Sequence, residues 1–408
     1  MKHIVVILWC LTGVLHQLEA QSLDSLLQEC LSDNRMLAAL RTTAQAERYL
    51  PQQVNQLPDP ELGINAFVLP VETRLGPQQL RLGVTQMIPW KGTLDARGNV
   101  AAFSARMAEN QLDRTAIDMA YRLKLDYIDL RRARSSVAIA KKQIAWLDQL
   151  RALALTRLQS SAGNLAVLTQ IDLKVRELEW KIGQFEREAA IQLQAINQLR
   201  NQPGDAPVET PDALEAVPLP AFFESAPATH PELRDPELRQ LQSDARIALV
   251  GLERKPSFGV GLDYIVVGSR TDMDMPRNGR DIISPRVNIR IPLYTDVYDA
   301  KIAEQQLRKE ALELNKADTQ NKLGQLAAQS LLQWESALEE TAWIASHLEG
   351  LQQLIRLKMS AWESGQASFE EILNLYLEQE NFSWRNLQAQ IRSHQAKAAR
   401  ERALGIVY

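Results

Sequence analysis

Five histidines, His3, His16, His230, His347 and His394, are the first candidates for acid–base or metal chemistry, and their spacing supports neither. None forms an HxxxH or HExxH pair, and a zinc site needs three or four converging donors. His347 and His394 fall in helical stretches and read as helix-surface residues. Cys10 and Cys30 are the only cysteines. Cys10 lies in the apolar run Ile4–Leu15, which follows Met1-Lys2-His3 and precedes the small residue Ala20, the layout of a secretory signal over residues 1–20. Cys30 then stands alone, which excludes a disulfide framework or a cysteine metal site and suits a small apolar core residue. Asp272-Met273-Asp274-Met275 offers carboxylate and thioether donors, but beside Pro276 and Gly279 it reads as an external loop. Gly259-x-Gly261 has no helix after it and is not a nucleotide loop. No catalytic residue, metal site or cofactor is expected.

The polar residues that do recur at a telling spacing are those of alternating strands. Leu80, Leu82, Val84 and Ile88 share one face of a strand whose other face carries Arg81, Gly83 and Thr85. Val287, Ile289 and Ile291 oppose Arg286, Asn288 and Arg290 in the same way. Phe258, Val260, Leu262 and Tyr264 oppose Gly259, Gly261 and Asp263, and Leu62, Ile64, Ala66 and Val68 oppose Gly63 and Asn65. Period two of this kind means sheets with one apolar and one polar face. A soluble sandwich explains it, and so does a membrane barrel whose wet lumen holds Arg81, Thr85, Asp263, Arg286, Asn288 and Arg290. Four such strands cannot close a membrane barrel alone, so either they cover a small core or several copies share one barrel. Trp90, Tyr264, Tyr294 and Tyr298 fall at strand ends, where an aromatic girdle would lie.

The elements that must position these strands are legible from proline. All 18 prolines lie between Pro51 and Pro89 or between Pro203 and Pro292. The intervening stretches predict very long helices, from about Thr93 to Ser161 and from about Val297 to Ser364, each reaching roughly 100 Å at about 1.5 Å per residue. Leu123, Ile128, Leu130, Val137, Ile144, Leu147, Leu150 and Leu158 recur at helical spacing in the first. Leu307, Leu312, Leu314, Leu323, Leu326, Leu338, Ile344 and Leu351 do so in the second, and both sets suggest coiled-coil-like seams. The halves repeat each other. Ile88-Pro89 recurs as Ile291-Pro292, Asp95-Ala96-Arg97 as Asp299-Ala300-Lys301, and Gly163 followed by Val167 as Gly365 followed by Phe369. The expected organisation is therefore a first repeat over 21–200, with a β-hairpin about 61–90 and a helical hairpin turning near 163. A proline-rich, extended linker over 201–236 leads to a second repeat over 237–408, with a β-hairpin about 256–293 and a tip near 365. A net charge of -4 argues against a nucleic-acid partner. The clusters Arg131-Arg132, Arg134 and Lys141-Lys142 read as a solvated helix face.

Together, the signal, the two repeats, Pro58-Asp59-Pro60, Gln86-Met87-Ile88-Pro89-Trp90 followed by Gly92, and the turns at Gly163 and Gly365 resemble the TolC-type outer-membrane efflux family. The resemblance covers essentially the whole mature chain, and the Gln-x-Ile-Pro-Trp phrase is most similar to the branch serving heavy-metal resistance-nodulation-division pumps. It implies a mainly α protein with membrane β structure: a homotrimer in which each chain gives four strands to a shared 12-stranded outer-membrane β-barrel, continuous with a periplasmic α-barrel of helical hairpins. It further implies an exit duct, not an enzyme, served by a resistance-nodulation-division pump in the inner membrane and by a periplasmic adaptor docking at the tips near Gly163 and Gly365.

In the family the gate follows the second turn, which places it here at Glu371, with Glu370 beside it and Asn374 where an aspartate is frequent. The equivalent first-repeat positions are Thr169 and Asp172. Carboxylates ringed around a narrow pore would favour cations, while Glu370 and Glu371 equally suit the first turn of a helix. A periplasmic adaptor has one hairpin between two half-domains rather than two hairpins, and a coiled-coil scaffold leaves the strand pattern unexplained.

Overall fold

A computed structural model describes residues 23–159, 165–211, 214–220, 229–364 and 366–408. The signal segment and the two tip glycines, Gly163 and Gly365, lie outside the described residues. Short helices α1 (Leu23–Asp33), α2 (Arg35–Glu47) and α3 (Leu50–Val54) precede strands β1 (Glu61–Thr73) and β2 (Gly76–Ile88). Helices α4 (Thr93–Gln159), α5 (Leu165–Leu199) and α6 (Pro231–Glu253) follow, then β3 (Ser257–Val267), β4 (Ile282–Arg290), α7 (Asp296–Glu363) and α8 (Phe369–Leu404). The proline-free stretches thus form helices of 67 and 68 residues, as their composition predicts. Pro231 opens α6 at a position where its missing N–H costs no helical bond. Among the described residues no helix is long and apolar enough to cross a membrane.

The chain divides into two compact units. One contains residues 39–112 and 231–320, and hence the sheet. Its strands are antiparallel in the order β1-β2-β3-β4, so β1 and β4 are both edges. Two register shifts, between Ala66 and Val71 and between Gln78 and Leu80, bend the strands toward the β1–β2 turn. That turn needs Gly76, whose φ of 132° an ordinary L-residue rarely adopts and whose added Cβ would strike the Gly268 carbonyl.

The other unit, residues up to 38, 113–230 and 321–408, holds the helical core. Buried positions on α7 follow Leu323, Ala327, Ser330, Trp334, Ala337, Ile344, Leu351, Ile355 and Trp362, a heptad register of the kind that imposes a left-handed supercoil. The register keeps Leu323, Ile344 and Leu351 of the spacing read in the sequence and departs from it elsewhere: Leu307 and Leu314 are exposed, and small or aromatic residues take several seam positions. On α4, Ala120, Leu123, Tyr127 and Leu130 pack with Leu26, Leu27 and Cys30 of α1 and Ile196 of α5. Burial pushes the Cys30 thiol up to about 11, so it is an unreactive core residue.

Residues 203–211 and 214–220 are strapped to this core. Asn197 Nδ2 donates to the Gly204 and Ala206 carbonyls at 3.1 and 2.8 Å. Arg134 Nη1 donates to the Val208 carbonyl and Thr210 Oγ1, both at 2.8 Å. Trp334 Nε1 donates to the Val217 carbonyl at 2.7 Å, and His394 Nε2 lies 2.8 Å from the Glu215 carbonyl. Val208 and Leu214 are buried among helix side chains. These contacts correct two sequence expectations. His394 is an anchor whose pKa partial burial lowers, not a bare surface residue. The arginine cluster is not simply a solvated face, since Arg134 binds the strap, Arg132 pairs with Glu188 at 3.2 Å, and burial lowers the pKa of Arg131.

Candidate functional site

In the sheet unit, pairing places Glu61, Thr85, Gly261 and Arg286 in one cross-strand row and Gly63, Gly83, Asp263 and Ser284 in the next. Residues directly opposite one another share a face, so Arg81, Thr85, Asp263, Arg286, Asn288 and Arg290 all lie on the polar face. Thr85 and Asp263 are buried there. Arg286 Nη2 donates to Thr85 Oγ1 at 2.7 Å and stands 3.5 Å from Asp263 Oδ1. Glycines make room for this network. A Cβ on Gly261 would sit 2.7 Å from the Val84 carbonyl oxygen and 3.1 Å from Thr85 Oγ1, and one on Gly83 would collide with the Asp263 carboxylate. A recess of about 330 Å³ opens on this face between Glu61, Thr85, Met87, Arg286, Asn288 and Arg290.

The opposite face is apolar and uncovered among the described residues. Leu62, Ile64, Val84, Val260, Leu262, Ile283, Val287 and Ile289 retain between 46% and 69% of their exposure. A soluble sandwich would bury such side chains, each worth about 1.5–3 kcal/mol when removed from water. Instead, the buried side chains at the centre of the sheet, Thr85 and Asp263, are on the polar face while the apolar face is open, an arrangement suited to contact with an apolar medium. Trp90 stacks on Phe258 at 6.2 Å, and Tyr294 is largely exposed beyond β4.

The helical unit carries the expected gate residues. Ser368 is the N-cap of α8: its Oγ accepts from the Glu371 N–H at 3.2 Å, while the Glu371 carboxylate turns back to the serine hydroxyl at 3.4 Å. This reciprocal cap starts the helix. Ser368→Ala should lower stability by about 1 kcal/mol, seen as faster amide exchange confined to the first turns of α8. Glu371 also accepts from Lys358 Nζ at 2.5 Å, a bond that holds its carboxyl below the usual range. In the first hairpin Arg151 Nε lies 2.8 Å from Asp172 Oδ1, while the Thr169 hydroxyl donates to the Leu165 carbonyl of its own helix. Glu370 and Asn374 are exposed. Beneath them Ile171, Leu178, Trp362, Ile372 and Leu373 form a buried cluster with Leu147 and Leu150.

Sequence reading missed both basic partners. Lys358 and Glu371 flank Gly365 at nearly equal distances along the chain, as residues facing each other across a hairpin must, and that symmetry was the available signal. Of the other candidates, Asp272 pairs with Arg270 at 2.7 Å in the β3–β4 connection. His347 lies between Trp343 and Phe382, with ring centroids at 5.3 and 4.2 Å. No group of acidic, cysteine and histidine side chains able to hold a metal occurs among the described residues.

No family model matches the sequence. No curated protein matches it either. The fold does match solved structures. CusC, described in terms of folding and transmembrane channel formation, superposes with a TM-score of 0.78 at 17% identity, over 95% of this chain and 93% of that one. The outer membrane protein VceC of Vibrio cholerae gives 0.75 at 15%, over 94% and 96%. The Campylobacter jejuni CmeC outer membrane channel gives 0.70 at 13%, over 94% and 85%. The fold is that of the TolC-type outer-membrane efflux channels, mostly helical with a small antiparallel four-stranded sheet.

Proposed function

We propose that the chain is the outer-membrane exit duct of an efflux system, a channel rather than an enzyme, reaching from the outer membrane into the periplasm. The observation that carries this reading is the inverted sheet: an open apolar face, an arginine-bearing face with Thr85 and Asp263 buried at its centre, and two edges free to pair with further copies. A homotrimer would close those edges into one 12-stranded barrel, removing the unpaired backbone that lipid does not tolerate. The channels named above share the whole architecture, which supports extending their role to this chain. An inner-membrane pump, of the resistance-nodulation-division type, would deliver substrate through a periplasmic adaptor seated near Gly163 and Gly365.

Within this reading, Glu370, Glu371, Asn374, Thr169 and Asp172 border the periplasmic aperture. The Lys358–Glu371 and Arg151–Asp172 pairs support a correction to its electrostatics, because a carboxylate already paired within its own hairpin adds little net charge to a ring. Purified protein should behave in detergent as three chains and conduct ions in a planar bilayer. Glu371→Gln should then change the cation-to-anion permeability ratio only slightly, whereas Lys358→Gln, which releases the carboxylate, should raise that ratio. A soluble monomer without conductance refutes the duct, and an unaltered selectivity in Lys358→Gln removes Glu371 from the aperture.

A further inference from the structure

On the polar face of the sheet, the band from Arg290 to Arg81 carries three guanidinium groups, Arg81, Arg286 and Arg290, against two carboxylates, Glu61 and Asp263. Their environments differ. Asp263 is buried, with its Oδ1 3.5 Å from Arg286 Nη2 and without a hydrogen bond among the described residues, so its charge faces inward toward that one arginine. Glu61 stands at the far end of the same row, on the edge strand. Arg290 is exposed and borders the recess of about 330 Å³. Arg81 Nε and Arg286 Nε are both shielded from solvent and make no hydrogen bond among the described residues. Guanidinium Nε–H groups left without acceptors are suited to carboxylate or phosphate oxygens, which accept from such groups in pairs.

We infer that this band is a cationic selectivity element, and that the duct favours small organic anions bearing carboxylate or phosphate groups. The inference rests on the exit-duct reading, since only closure of the sheet into a barrel turns its polar face into a pore wall. Repeated around that wall, one excess positive charge per chain becomes a ring that lowers the barrier to anions and raises it for cations. The glycines at positions 83 and 261 serve the same end, because larger side chains there would displace Asp263 and Thr85, which fix Arg286.

The test uses the full-length protein in a planar bilayer of neutral lipid under a potassium chloride gradient. The reversal potential should report a chloride-over-potassium permeability ratio of about 2 or more at 0.1 M salt. It should fall toward 1 at 1 M, where the screening length shrinks from about 10 Å to about 3 Å. Arg81→Gln combined with Arg290→Gln should bring the low-salt ratio to about 1 or below while single-channel conductance persists. Arg290→Gln alone, at an exposed strand end, should give an intermediate ratio and guards against misfolding of the double variant. Potassium preference in the unaltered channel, or chloride preference unchanged in both variants, overturns the inference and leaves the duct standing. Trimeric protein that never conducts overturns the duct itself, and the inference with it.

Discussion

Leu262→Arg should abolish accumulation of the protein in the outer membrane. Leu262 lies at the centre of β3, in the row Leu62, Val84, Leu262 and Pro285, the middle apolar row of the sheet, and it is 51% exposed. If that face meets lipid, arginine there sits near the bilayer midplane and costs about 2–4 kcal/mol in each copy. If the face meets water, the same substitution is close to neutral, because no side chain of the described residues covers it. Asn288→Arg, on the opposite face of β4, is the matched control, and there the duct reading expects normal assembly. The measurement is the fraction of protein recovered as oligomer from purified outer membranes. Equal recovery of Leu262→Arg and the unaltered chain would show that the apolar face is not lipid-facing.

That contrast between faces was the most legible part of the molecule. Alternation from Leu80 to Ile88 and from Phe258 to Tyr264 survives into the structure because side-chain direction in a strand is fixed by the backbone, with no partner needed to set it. The long helices were legible for a similar local reason, the absence of proline over Thr93–Gln159 and Asp296–Glu363. The seam of α7 was less so. Leucine spacing pointed to Leu307 and Leu314, while burial selects Ala327, Ser330 and Trp334, residues whose role depends on how closely a neighbouring helix approaches. The gate candidates show the same limit. Glu371 was found by its distance from Gly365, but how far its charge is neutralised depends on Lys358, a contact made only when the hairpin closes. The strap over residues 203–211 and 214–220 was invisible because most of its hydrogen bonds are to backbone carbonyls, which carry no residue-type signature.

Glu401→Gln is expected to destabilise the helical unit by several kcal/mol, on the order of 3–5. Lys124 Nζ of α4 lies 2.6 Å from Glu401 Oε2 of α8, with side-chain exposures of 7% and 19%. Lys397 reaches the other carboxylate oxygen at only 3.6 Å, and its side chain is 46% exposed. Removing the Glu401 charge therefore strands the Lys124 ammonium inside the protein. Breaking a buried pair from one side costs about 3–5 kcal/mol, because an uncompensated charge remains in a medium that solvates it poorly. Replacing both residues with apolar side chains of similar length, Lys124→Met with Glu401→Leu, removes that penalty and should recover most of the loss. Chemical unfolding of the two variants and the parent in detergent measures both numbers. A double variant as unstable as Glu401→Gln would show that the cost lies in lost packing around α8, not in the stranded charge. A Glu401→Gln change of less than about 1 kcal/mol would mean that water reaches Lys124 and the pair is effectively exposed.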